Sequence, residues 1–135
     1  MLVLVVLGAL AVDSAAVFLG QRQLASAAQS AATDATSALS QAAFYQGGRV
    51  ELDPAAARQV ALASVAAQDL SGVHLTGPVS VQVAGRQVCV SLTGTVPPIF
   101  GRAIPGIGSA TTVRARATAT AAGDHGPTVP HRAIC

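Results

Sequence analysis

Residues 2–20 read Leu-Val-Leu-Val-Val-Leu-Gly-Ala-Leu-Ala-Val-Asp-Ser-Ala-Ala-Val-Phe-Leu-Gly, an apolar run interrupted only by Asp13 and Ser14. At a helical rise of 1.5 Å per residue these 19 residues nearly cover a hydrocarbon core of about 30 Å. Three readings fit. A secretory signal peptide needs a basic stretch before the apolar run, and no Lys or Arg precedes Arg22. A buried core helix fits the length of the purely apolar part, which Asp13 cuts short. A transmembrane helix fits best, one whose N-terminal flank is missing from this chain, because full hydrophobicity begins at residue 1. Composition agrees: charged residues are 10% of the chain and mean hydropathy is +0.53, whereas an average soluble domain is roughly a quarter charged.

Nothing after Gly20 breaks a helix before Gly47. Residues 21–44 are rich in Ala, Gln and Leu, which favour helix. Leu24, Ala28, Ala31, Ala35, Ala38 and Ala42 recur at 4-3-4-3-4, close to a heptad seam. The first helix is therefore expected to leave the membrane and run to about Phe44, with a narrow small-residue face for its own sheet or for a neighbouring subunit. Gly47-Gly48 ends it. Asp53-Pro54 then starts a second helix, Asp as N-cap and Pro at the first helical position. Its expected apolar stripe is Leu62, Val65, Ala66 and Leu70, and Gly72 closes it.

From Val73 the period changes to two. Val79, Val81 and Val83 alternate with Ser80, Gln82 and Ala84, and Val88, Val90 and Leu92 alternate with Cys89, Ser91 and Thr93. Gly85-Arg86 between them suits a two-residue II′ hairpin turn. That turn sets Val83 opposite Val88, Val81 opposite Val90 and Val79 opposite Leu92, all on one face, and a one-residue slip would turn them outward. Val96-Pro97-Pro98 ends the second strand, and residues 99–108 hold too much Gly and Pro for regular structure. A third strand follows, with Val113, Ala115, Ala117, Ala119 and Ala121 inward and Arg114, Arg116, Thr118 and Thr120 outward. Residues 123–135 have no periodicity and read as a loose tail. So few strands need helices on their apolar face. The expected fold class is α+β: a long N-terminal transmembrane helix and a second helix packed on a small antiparallel β-sheet.

Several functions find no support. The eight basic residues are all Arg and scattered, so there is no basic stripe for nucleic acid. No nucleophile elbow, zinc-protease, P-loop or dinucleotide glycine pattern occurs, so no catalytic or cofactor-binding residues, no cofactor and no small-molecule substrate are expected, and the chain is not read as an enzyme. His125, His131 and Cys135 lack the tight spacing of a metal motif. His74 reads as a strand or turn residue. Ile99, Phe100, Ile104 and Ile107 read as a cap on the small core or as an exposed patch for a partner or the bilayer. Cys89 and Cys135 are either two unrelated thiols or, in an exported domain, a disulfide that staples the tail across the sheet.

The run from Ala9 to Asp13, then Phe18-Leu-Gly-Gln-Arg22-Gln-Leu24 and the Ala-rich turns after it, resembles the N-terminal helix of TadE/TadG-like proteins. Residues 96–101 (Val-Pro-Pro-Ile-Phe-Gly) and the Thr/Ala/Arg strand near Val113 resemble the actinobacterial branch of that family, so the likeness covers most of residues 1–122. It implies a pilin-like or minor-pilin-like component of tight-adherence (Flp) pilus assembly or a related secretion system, held in the cell membrane with its C-terminal domain outside. Asp13 matches the family's acidic position and Arg22-Gln23-Leu24 the step after it. The short polar leader that usually precedes the apolar run in the family is not in this chain.

Asp13 and Arg22 are the expected membrane or partner contacts. A carboxylate in an apolar helix calls for a partner, here another membrane subunit, unless it sits at headgroup level. Arg22 suits an interface where its charge can snorkel. Taken alone, that one Arg places the C-terminal side in the cytoplasm, against the orientation the resemblance implies, and the resemblance is preferred. The organisation expected is thus a transmembrane segment 1–20, an extramembrane helix 21–46, an extracytoplasmic α+β domain 47–122 and a tail. The leading function is a structural or assembly subunit whose partners are the membrane and other pilus or secretion subunits. The alternatives are a membrane-tethered binding module of the cell envelope and a secreted domain with an uncleaved signal.

Overall fold

The sequence folds around a single long helix. In the computed structural model, which describes residues 1–101, 109–122 and 134–135, α1 spans Leu2–Ala35, followed by α2 (Gln41–Gly47) and α3 (Pro54–Ala67). Among the described residues four antiparallel strands come next: β1 (His74–Leu75), β2 (Ser80–Ala84), β3 (Gln87–Val96) and β4 (Thr111–Thr120). The α+β class expected from the sequence is what forms.

β3 is the centre of the sheet. β4 pairs along its whole length, from Gln87 opposite Thr120 to Val96 opposite Thr111. Its other edge is shared end to end, by β2 against residues 87–91 and by β1 against Gly94 and Thr95. The hairpin register is the one the turn dictates, with Val81 opposite Val90 and Val83 opposite Val88. Gly85 takes φ 59°, the positive value that the first position of such a turn requires. The rows continue into β4, where Ala117 faces Val90, Ala119 faces Val88 and Ala115 faces Leu92. One face of the sheet is thus large–small across each row, and its Val113, Ala115, Ala117 and Ala121 are buried as the alternation implies.

α1 and α3 cover that face. Leu24, Ala28, Ala31 and Ala35 of the seam are fully buried, joined by Ala27 and Ala32. Small side chains let the helix come close to the sheet. At Gly20 the approach is closer still: a Cβ there would collide with Cγ2 of Val96 and lie 3.1 Å from Cγ2 of Val73. Burying Leu24 and Leu92 supplies roughly 1.5–3 kcal/mol each relative to exposure, and each Ala much less, so the layer depends on many small contacts.

The first helix is shorter than its composition suggests. It stops at Ala35 and not near Phe44, and α2 is a separate element. The hydroxyls of Thr36 and Ser37 donate to the carbonyls of Thr33 and Asp34, at 2.7 Å each, so side chains take over the last turn. The chain then extends, Leu39 bridges Leu52, and Ser40 caps α2 by accepting the Ala43 N–H at 3.3 Å. Ala38 is consequently half-buried and Ala42 exposed, so the seam ends before its last expected member. The Gly47-Gly48 stop acts on α2, with Gly48 left-handed at φ 62°.

The stripe on α3 also differs. Asp53 caps the helix as expected, accepting the N–H groups of Ala55 at 2.9 Å and Ala56 at 3.2 Å. The buried residues, however, are Ala57, Ala61 and Val65, while Leu62 and Ala66 face outward and Leu70 is half-buried beyond the helix end at Ala67. α3 packs on the Ala-lined flank of α1, and a close crossing selects its small face over its bulky one. Ser64 Oγ donates to Asp34 Oδ2 at 2.5 Å across that crossing, and an Arg58 N–H reaches the Val81 carbonyl at 3.4 Å.

Candidate functional site

The two halves of α1 meet different surroundings. Residues 3–12 project from the domain with their apolar side chains outward: Val3 is 69% and Leu4 70% exposed, and Val5, Leu7 and Leu10 are exposed with them. From Ala16 one face of the helix enters the core, through Ala16, Val17, Gly20 and Leu24, while Phe18 and Leu19 on the other side remain exposed. α1 is long and apolar enough to cross a membrane. Asp13 lies where the two halves join.

Its carboxylate is engaged by this chain. Oδ1 accepts the backbone N–H groups of Ile99 at 2.8 Å and Phe100 at 3.0 Å, and Oδ2 accepts that of Gly101 at 3.0 Å. Hydrogen bonds to an ionised acceptor are about twice as strong as neutral ones. Three converging N–H dipoles replace the counter-charge that a carboxylate on an apolar helix otherwise needs. Another membrane subunit or the headgroup layer was the expected partner of Asp13. The partner present is the chain's own turn after β3, 86 to 88 residues away in sequence.

Asp13 and Arg22 are not brought together. Nine residues at 3.6 per turn is two and a half turns, so they lie on opposite sides of the helix, and Arg22 is exposed. Asp13 belongs to the core-facing stripe, since positions 13, 17, 20, 24, 28, 31 and 35 descend one face at steps of three and four. Extending the buried seam backward past Gly20 is the sequence signal that places Asp13 against the domain. The residues that sequence reasoning did not assign are its donors at 99–101, because a backbone N–H carries no side-chain signature.

Cys89 and Cys135 are joined in a disulfide, Cα to Cα 5.9 Å, within the usual range for such a bond. Cys89 is the third residue of β3, on the face away from the helices, and is nonetheless buried. Residues 123–133 of the expected tail, with His125 and His131, lie outside the described residues, as do Ile104 and Ile107. Cys135 itself is fastened to the sheet. His74 is an exposed residue of β1.

The end of the domain far from residues 3–12 carries a shallow groove of about 360 Å³ lined by Leu39, Phe44, Tyr45, Arg49 and Glu51. The rings of Phe44 and Tyr45 meet edge to face at 5.9 Å, and both are exposed.

No family model, curated protein or solved structure matches this chain. The site is therefore defined by its own geometry: an apolar helix leaving a small domain, with a carboxylate at the point of exit tied back to a loop.

Proposed function

We propose that the chain is a membrane-anchored structural or assembly subunit of a Flp-type pilus or related secretion system, minor-pilin-like, with its α+β domain outside the cytoplasm and no enzymatic role. The observation that carries the anchor is the bare apolar rod of residues 3–12. A contiguous exposed surface of Val and Leu is not stable in water, and lipid or another apolar helix must cover it. The orientation is supported by the Cys89–Cys135 bond, since structural disulfides persist in oxidising compartments and not in the cytosol. It outweighs the single Arg22 as a topological signal. The assembly role draws on the resemblance of residues 9–24 and 96–101 to TadE/TadG-like proteins. Its partners on this reading are the bilayer and other subunits, met through the N-terminal helix.

Expression of the full chain in bacterial cells tests this. It should stay with membranes through alkaline extraction, and its cysteines should resist alkylation until a reductant is added. A photo-crosslinking residue at Val5 should capture a second envelope protein as well as lipid. Recovery in the soluble fraction with free thiols would refute the reading, and capture of lipid alone would remove the assembly role.

A further inference from the structure

The turn at residues 97–101 leaves no backbone N–H unpaired. Pro97 and Pro98 have no N–H, and the N–H groups of Ile99, Phe100 and Gly101 all end on Asp13. The five consecutive residues leave no donor for water. Unpaired backbone groups are what keep irregular segments out of the hydrocarbon core; this turn has no unpaired donor, and its carbonyls suit it to the hydrated interface rather than to the core. The same bonds satisfy the carboxylate. The other polar side chain in the apolar run, Ser14, donates its hydroxyl to the Leu10 carbonyl at 2.8 Å, so it too is satisfied within the helix.

The side chains of the turn point outward all the same. Ile99 is 59% and Phe100 46% exposed, at the level where α1 leaves the domain. Leu19 of α1 and Ile99 border one groove of about 310 Å³ with Ala16, Gly20 and Pro97. The exposed apolar surface of α1 thus continues past Asp13 to Leu19 beside the turn.

We propose that residues 97–101 form a second membrane contact: Ile99 and Phe100 insert into the interfacial layer of the bilayer beside α1, and the bonds from Asp13 fix the height of the domain above the lipid. This rests on the reading of α1 as the anchor and names what the flank of that anchor touches. Asp13 is a positioning residue here, holding the turn against the helix at one depth.

The chain has no Trp, so single Trp reporters locate each region. Full-length Phe100→Trp, Ile99→Trp, Val5→Trp and Tyr45→Trp proteins would be reconstituted into phosphatidylethanolamine/phosphatidylglycerol vesicles containing lipid brominated near the top of the acyl chain. Trp at either turn position should show blue-shifted emission quenched by the brominated lipid, as should Trp at 5, while Trp at 45 should not. In the Asp13→Ala background quenching at 100 should fall while quenching at 5 persists. Quenching at 5 without quenching at 99 or 100 would overturn the second contact and leave the anchor standing. Quenching at none would overturn both. Quenching at 45 as strong as at 100, or quenching at 100 unchanged by Asp13→Ala, would also refute the proposed seating.

Discussion

The first dozen residues of α1 and its last twenty are one helix with opposite rules. The early part exposes Val and Leu; the late part buries Ala and Gly. Hydrophobic sorting in water would put the larger side chains inside. The inversion follows from what each half packs against. A sheet of Val, Leu and Ala approached at close range leaves room mostly for small groups, with Leu24 the large side chain it admits, and interiors tolerate little excess volume. An apolar solvent imposes no shape, so large side chains serve there. Along α1, fit decides which of the apolar side chains are buried.

Ala31→Leu should break the late half most severely. The added carbons have no space between helix and sheet, and domain stability should fall by about 3 kcal/mol, the upper end for overpacking, as a shift in denaturant midpoint. Gly20→Ala should cost less, about 1 kcal/mol net, because the collision with Val96 and Val73 is partly offset by the better helix propensity of Ala. Asp13→Asn, at the junction, should act locally: amide exchange at Ile99, Phe100 and Gly101 should accelerate in detergent micelles while the core of β3 stays protected. Gly8→Ala should have the smallest effect, since nothing lies within 4 Å of a Cβ there, and domain stability should stay within about 0.5 kcal/mol of the parent. The pair Gly8→Ala and Gly20→Ala poses the same chemical change to both halves. Equal midpoints for the two would contradict the division drawn here.

The hairpin was legible, with Val81 and Val83 paired as expected and only Val79 falling before the start of β2, because two independent signals, the Gly85-Arg86 turn and the period-two valines, specify one register. The β4 alternation and the Asp53-Pro54 start were legible for similar reasons. The end of α1 was not, because residues 36–40 contain no Gly or Pro. The break comes from Thr36 and Ser37 hydroxyls and from the Leu39–Leu52 bridge, a contact 13 residues apart. The face of α3 was half legible: Val65 and Leu70 meet the core as expected, but ranking by side-chain size favours Leu62, whereas the crossing with α1 favours Ala57 and Ala61. For the site, Asp13 was recognisable as a residue in need of a partner. The partner itself was not, since Pro97-Pro98 marks only the end of a strand and the donors lie in the main chain.

The staple between residues 89 and 135 has a mechanical consequence. A tensile load arriving at Cys135 passes through sulfur straight into β3, the strand held on both edges by hydrogen-bonded neighbours. The covalent ring, closed across a sequence separation of 46, takes residues 90–134 out of the load path, so β4 is not peeled from its edge one bond at a time. The pull acts instead on residues 87–89, which β2 holds on one side and β4 on the other.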